Sequence, residues 1–432
     1  MGISLGFHII FAAIGIAMPL LMVISEAIWL KTKAPHYLDL TKAWAKGTAV
    51  LIAIGAASGT VLSFELGLLF PGFMRHAGPV IGMPFSLEGF AFFAEAIFLG
   101  IYLFGWNRIR PALHLASGVI VAAAGALSAV FVITVNAWMN HPRGFRIEEG
   151  RFVDIDPWVA MTTPFALHQI LHMLVAAYLA TGILVAAIHA WILLRHPENV
   201  VHRKALAIAM AMVIPTAIVQ PLVGDLASRQ VAKYQPLKLA AMEAQYKTEA
   251  RAPLRIGGIP NHDEREAPFA IEIPGMLSFL AWGDTDAVVQ GMEDFPRENW
   301  PPVVVHYAFQ LMVLCGILLL LLSVWAGWVW VRKKSLPQSR AFLWCTVLSA
   351  PLGMAAIEFG WIVTEVGRQP WVIYEVMRTA DAVTPMPGLI VPLVVSCMVY
   401  IGLSIAVIAV LRRQVQLAPG LPQPEPAEAD PS

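Results

Sequence analysis

The chain has 432 residues, 58% of them hydrophobic and only 13% charged, with 29 basic and 29 acidic residues and a mean hydropathy of +0.68. Ordinary soluble domains carry about 25% charged residues, so this composition excludes a soluble globular protein and points to an all-α, polytopic membrane bundle. Zero net charge gives no reason to expect a nucleic acid as partner.

Nine apolar segments reach the roughly 20 residues that a bilayer crossing requires. They cover residues 3–30, 48–70, 82–106, 113–138, 165–194, 205–223, 303–331, 341–364 and 387–411. Basic residues follow the odd-numbered spans: Lys31 and Lys33, Arg108 and Arg110, Arg195 with Arg203 and Lys204, Arg332 to Lys334, and Arg412 with Arg413. By the positive-inside rule that side is cytoplasmic, which places the N-terminus outside and the C-terminus inside. Arg75, Arg143, Arg146 and Arg151 are the exceptions. The first span is too long for the apolar part of a cleaved signal and is expected to act as an anchor.

The chain therefore divides into a six-span region (1–223), an external hydrophilic loop (224–302), a three-span region (303–412) and a cytoplasmic tail (413–432). The tail is Pro-rich and acidic, hence expected to be disordered. Within the loop, 233–246 carries the pattern LKLAAMEAQY of a short amphipathic helix, with Lys238 and Glu243 expected on its surface. Residues 261–266 and 284–286 read as polar turns. Cys315, Cys345 and Cys397 all fall in apolar runs without metal or haem-attachment spacing, and read as packing residues. No internal repeat is visible, which speaks against a transporter built from two related halves.

Polar residues inside the spans carry the chemistry. His8 lies early in the first span, where a lone His is more often a hydrogen-bonded packing group. The third span holds LEGFAFFAEA, in which Glu88 and Glu95 stand seven apart on one face, roughly 10 Å along the axis. Two carboxylates at that depth do not both ionise cheaply, which suits a proton relay. Ser128 and Asn136 in the fourth span can extend such a path. The fifth span offers His168 and His172 on one face, either of which can hold haem iron, and the seventh offers Met312, a thioether at matching depth. The eighth ends in IEFGWIVTEVGRQPW, where Glu358, Trp361 and Glu365 share a face, Arg368 supplies a positive charge and Pro370 stops the helix.

The ordered set SLEGFAFFAEAIFLG, HQILH, LKLAAMEAQ, FQLMV and GWIVTEVGRQPW resembles subunit I of the cytochrome bd quinol oxidases over nearly the whole chain. The resemblance implies a terminal respiratory oxidase of the bacterial cytoplasmic membrane that takes electrons from a membrane quinol and reduces dioxygen to water without pumping protons. It implies a low-spin haem b, a high-spin haem b and a haem d or a further haem b. It also implies a second membrane subunit, subunit II, and leaves room for a small single-span subunit. Carried over by motif, His172 and Met312 correspond to the low-spin haem ligands, and His8 and Glu365 to ligands of the oxygen-site haems. Glu88 corresponds to the carboxylate near that centre, Glu95 with Ser128 beside it to the proton route, and Trp361 to an aromatic between haems. Arg368 falls in the GRQPW motif itself, and Lys238 and Glu243 correspond to the quinol-binding pair of the loop. Gln310 stands where many members have Arg, and the loop is short. Both features resemble the cyanide-insensitive branch. The chain begins seven residues before His8, where the family has a further turn or more.

Other classes fit less well. A haem-copper oxidase needs six His with an adjacent pair, and a bis-His cytochrome b needs paired His on two helices. A non-redox transporter with intramembrane carboxylates is the remaining alternative.

Overall fold

The computed structural model describes residues 1–416; the tail expected to be disordered lies mainly outside the described residues. Fourteen helices follow one another: α1 (Gly2–Thr32), α2 (Pro35–Leu69), α3 (Pro71–Phe104), α4 (Pro111–Asn140), α5 (Pro157–Met161), α6 (Pro164–Arg195), α7 (Val200–Tyr234), α8 (Pro236–Glu243), α9 (Met276–Trp282), α10 (Val304–Lys333), α11 (Arg340–Leu348), α12 (Ala350–Val366), α13 (Thr379–Ala382) and α14 (Ile390–Gln416). Among the described residues nine spans are long and apolar enough to cross a membrane, with α11 and α12 together forming the eighth. Four short antiparallel ribbons decorate the connections: β1 (Arg146–Glu148) with β2 (Arg151–Val153), β3 (Glu249–Ala250) with β6 (Val288–Val289), β4 (Leu254–Ile256) with β5 (Ile271–Ile273), and β7 (Trp371–Ile373) with β8 (Met377–Arg378).

Many helices start on proline, at Pro35, Pro71, Pro111, Pro164 and Pro236, where the missing N–H costs nothing and the fixed φ is already helical. The helices outrun the apolar segments. α2 begins thirteen residues before the expected Thr48, because its first turns carry His36, Asp39, Lys42 and Lys46 and are helical without being apolar. α3 continues through Pro79 and Pro84, and α7 runs eleven residues past Val223 to Tyr234. The expected single helix over 233–246 is broken at Gln235 (φ −139, ψ 60), since the following Pro236 disfavours helical geometry at that residue. The eighth span jogs at Ser349, just before Pro351, whose ring cannot sit under a continuous helical ladder. Cys315 is buried as a packing residue, whereas Cys345 faces outward from α11.

Consecutive helices pair as α1–α2, α3–α4 and α6–α7, and α6 lies at the centre, touching α1, α4, α7, α11 and α12. Four helices close a ring: α6 packs on α7, α7 on α10, α10 on α12, and α12 on α6. α6 and α10 therefore occupy opposite corners. α14 rests on α2 with little of its surface covered.

Close approach in this ring depends on small residues. A Cβ placed on Gly353 of α12 would stand 2.5 Å from Ala180 Cα of α6. Gly353→Val is expected to force the two helices apart at a cost on the order of 1–3 kcal/mol or more. In detergent it should unfold at a clearly lower temperature than the parent, while Gly402→Val in α14, where nothing lies within 4 Å, should unfold with the parent.

Candidate functional site

His172 and Met312 stand on α6 and α10, at the two opposite corners of the ring. Each is eight residues into a helix that starts at the same end, Pro164 for one and Val304 for the other, so both lie at about 12 Å depth. Each side chain lies against a glycine of the intervening helix. A Cβ on Gly224 of α7 would be 3.6 Å from His172 Cε1, and one on Gly360 of α12 would be 3.2 Å from Met312 Sδ. Gln220 Nε2 lies 3.3 Å from His172 Nε2. His168, one turn nearer the loop end, is 3% exposed, and neither ring nitrogen has a hydrogen-bond partner among the described residues.

The second group forms where α1, α2, α4 and α12 come together. His8 Nδ1 pairs with Ser58 Oγ at 3.0 Å, and its ring lies on Gly59. Glu358 reaches across to α1, where a Cβ on Gly6 would meet its Oε2 at 3.1 Å. Glu365 accepts from Asn136 Nδ2 at one oxygen and from Arg368 Nη2, at 2.6 Å, at the other. Arg368 is 2% exposed in the turn after α12, which contains a cis Gln369–Pro370 bond. Trp361 packs among Ile9, Ala13 and Ala177, bringing α1 and α6 to α12.

The α3–α4 hairpin corrects one expectation. Ser128 was expected beside Glu95, but its hydroxyl donates to Glu88 at 3.1 Å. The helices run antiparallel, so a residue farther along α3 faces one earlier on α4, and Glu95 lies against Gly125 instead. Glu95 is buried at 7% exposure.

Lys238 and Glu243 correct another. Both were expected on the surface of the loop helix, and both are buried, at 4% and 3% exposure. α8 lies on α7 and α10, and every residue from Leu237 to Glu243 is buried, so neither side of the helix faces water. Lys238 Nζ donates to Asn140 Oδ1 at 2.7 Å and reaches Thr364 O at 3.4 Å, with its stem over Gly367. Burial, helped by Arg368, drives its pKa well below the usual lysine value, and Glu365 opposes this. Glu243 is raised to about 8 by burial, with Arg255 holding it down. A small pocket opens between α8 and the Gly367–Trp371 turn, lined by Leu237, Lys238, Phe295, Arg368, Trp371 and Tyr374.

Sequence reasoning overlooked several partners. Asn140 is one turn past Asn136 on the same face of α4, and that spacing was readable in NAWMN. Ser58 and Glu65 of α2, a hydroxyl and a carboxylate, repeat the seven-residue spacing of the paired glutamates; Glu65 accepts from Ser4 at 2.7 Å. Gln310 carries no charge, but it clamps the loop. Its Nε2 donates to Arg255 O at 2.9 Å and its Oε1 accepts from Gly257 N at 3.2 Å, which sets Arg255 near Glu243.

The family model described as cytochrome bd terminal oxidase subunit I matches residues 1–419. The chain belongs to the cytochrome bd terminal oxidase subunit I family. A Bacillus subtilis (strain 168) protein provisionally named cytochrome bd menaquinol oxidase subunit I is 39% identical over 417 residues, 95% of this chain and 94% of the relative. The Escherichia coli (strain K12) cytochrome bd-II ubiquinol oxidase subunit 1 is 28% identical over 491 residues, 97% of this chain and 95% of its own. The bd oxidase structure from Geobacillus thermodenitrificans superposes with a TM-score of 0.90 at 39% identity, covering 97% of both chains. Cytochrome bd oxidases bind haem, and the residues of this chain fit such a group. His168 Nδ1 and Nε2, Trp361 Nε1, Glu358 Oε1 and Arg368 Nη1 are all buried without a hydrogen-bond partner among the described residues. Leaving such atoms bare is costly, and they cluster around the two groups where imidazole, thioether and carboxylate face glycine.

Glu243 is open to direct titration. Because burial raises its pKa, the side chain is a neutral acid at pH 7 and loses its proton only near pH 8. In isotope-edited infrared spectra a carboxylic acid carbonyl band should vanish as pH rises through about 8, and Glu243→Gln should lack it. Arg255→Gln should move the midpoint upward, since it removes the charge that favours the carboxylate. A band lost in the ordinary carboxylate range would refute the burial.

Proposed function

We propose that this chain is the haem-bearing subunit of a membrane quinol:oxygen oxidoreductase of the cytochrome bd type, active together with subunit II. The observation that carries this reading is the ring of α6, α7, α10 and α12. It places an imidazole and a thioether at opposite corners and glycines on the other two helices, with a buried lysine and glutamate laid across its end. In this reading His172 and Met312 hold a low-spin haem b, while His8 and Glu365 hold the paired oxygen-site haems, a high-spin haem b with a haem d or a further haem b. When bound, the haems supply the redox centres that pass electrons from quinol to dioxygen.

The protein's own groups do the rest. Lys238, at the floor of the pocket beside α8, hydrogen-bonds a quinol ring oxygen. Glu243 takes a quinol proton, which requires it to be a carboxylate at that moment and so favours turnover as pH approaches 8. Glu95 and Glu88, the latter bonded to Ser128, carry protons along α3 toward the centre near Glu365. Arg368 holds the Glu365 carboxylate in place, and Trp361 lies between the two groups. With the loop outside and the basic helix ends inside, protons released by quinol leave on one side and those consumed by oxygen enter from the other. The membrane potential then arises without a pump. A small single-span subunit completes the partner set of this reading, and the membrane is the bacterial cytoplasmic membrane.

Reduced-minus-oxidised spectra of the complex with subunit II test the reading. Haem b bands are expected, and a colourless complex made with ample porphyrin would sink it. Met312→Leu should remove or weaken only the low-spin band and lower quinol oxidation at least tenfold, whereas Glu365→Ala and Glu88→Ala should disturb the oxygen-site bands. A low-spin spectrum and turnover untouched by Met312→Leu would show that the ligand lies elsewhere.

A further inference from the structure

Three hydrogen bonds join the loop lysine to the carboxylate at the end of α12 in one unbroken line. Lys238 Nζ donates to Asn140 Oδ1 at 2.7 Å, Asn140 Nδ2 donates to Asn136 Oδ1 at 3.0 Å, and Asn136 Nδ2 donates to Glu365 Oε1. Every donor points away from the ammonium and toward the carboxylate. Reversing either amide would set NH₂ against the ammonium or a carbonyl oxygen against the carboxylate. The charged ends therefore dictate the direction of the line. Dipoles aligned in this way polarise one another in a low-dielectric interior.

The lysine end of the line is shielded, while Asn136 and Glu365 are half-buried, and the whole is braced. Asn140 is fully buried and Lys238 nearly so. Gln235, also fully buried, donates Nε2 to the Asn140 backbone carbonyl at 2.7 Å, and Asn140 Nδ2 also reaches Asn136 O at 2.9 Å. Asn136 and Asn140 are one helical turn apart, so a single face of α4 carries both amides. At the far end Arg368 fixes the other oxygen of Glu365.

We propose that Asn136 and Asn140 are positioning residues that tie the charge of Lys238 to the carboxylate of Glu365, so that the quinol-side lysine and the oxygen-side acid act as one linked pair. This rests on the roles given above to Lys238 and Glu365. Removing the ammonium frees the Asn140 amide to turn, Asn136 loses its orientation, and Glu365 is left with Arg368 as its one fixed donor. Linkage is reciprocal: whatever engages Lys238 changes the setting of Glu365, and the converse holds equally. Among the described residues Lys238 and Glu365 share no hydrogen bond of their own, so the hydrogen-bonded path between the two side chains runs through the asparagines, beside the direct pull of one charge on the other.

A simple structural latch would pin α8 to α4 without affecting the oxygen-site haems. The test uses the purified two-subunit complex reduced chemically without quinol, so that substrate binding does not enter, with the low-spin haem band as a control for folding. Lys238→Met should shift the oxygen-site haem absorption and leave the low-spin band in place. Asn140→Leu should shift the same band, and the double variant should show no further shift, as expected for residues acting through one line. Lys238→Arg, which keeps a charged donor, should restore the parent spectrum. If Asn140→Leu fails to assemble, Asn140→Ala removes the same amide with less bulk. An oxygen-site band unmoved by Lys238→Met, or shifts that simply add in the double variant, would overturn the linkage. A parent complex with no haem bands would instead overturn the oxidase reading itself.

Discussion

Charged groups withdrawn from water must be paired, and this requirement organises the loop end of the molecule. Three ionisable side chains, Lys238, Glu365 and Arg368, come together where α4, α8 and the end of α12 meet. Lys238 and Arg368 are almost wholly buried. An isolated charge there would cost several kcal/mol even after relaxation. The structure meets this with amides rather than a second layer of charge: Asn140 accepts from the cation and donates to Asn136, which donates to the anion. Neutral asparagines add no desolvation penalty of an ion, and their side chains are short enough to be held by one helix face. The geometry of α8 follows, because that helix can sit only where its lysine finds Asn140 and its stem finds the bare backbone at Gly367.

The membrane-buried ring obeys a different rule. Between helices in lipid there is little hydrophobic gain in packing, so close approach comes from small residues. Gly353 lets α12 settle on Ala180 of α6, which fixes the ring; Gly224 and Gly360 then leave space beside His172 and Met312. One residue type thus performs two tasks. Where the facing side chain is alanine, glycine brings backbones together, and where it is a candidate iron ligand, glycine leaves it room to turn. The α3–α4 hairpin uses the same device, with Gly125 under Glu95.

Much of this was legible in the sequence, and the missing parts have physical causes. Nine spans were readable because a bilayer demands long apolar runs, and nine stand among the described residues. Their ends were not, since the first turns of α2 and the last of α7 leave the apolar zone while remaining helical. His172, Met312, Glu88, Glu95 and Glu365 stood out as polar atoms in apolar surroundings. Lys238 and Glu243 were misjudged because a charged residue in a hydrophilic loop looks solvated; only the tertiary packing of α8 shows that both sides of the helix are covered. The pairing of Ser128 with Glu88 rather than Glu95 depends on the antiparallel register of two helices, which no local pattern encodes. Asn140 escaped notice for a further reason: an asparagine at a helix end is an ordinary terminus residue, and its role exists only once Lys238 is brought to it.

The two polar groups are joined by the helices they share. α12 carries Gly360 at the Met312 side of the ring and Glu365 five residues later at the second group, so any displacement of this helix is felt by both. α4 carries Ser128 toward Glu88 and, three turns on, Asn140 toward Lys238. α8 completes the circuit from outside, resting on α7 and α10 while its lysine reaches α4 and α12. Of the elements that hold a candidate haem ligand, α8 touches α10 and α12 but not α1 or α6. Those two are reached through Trp361, which packs between them and α12. With this arrangement the loop helix and the candidate haem ligands of the membrane interior share the same few helices.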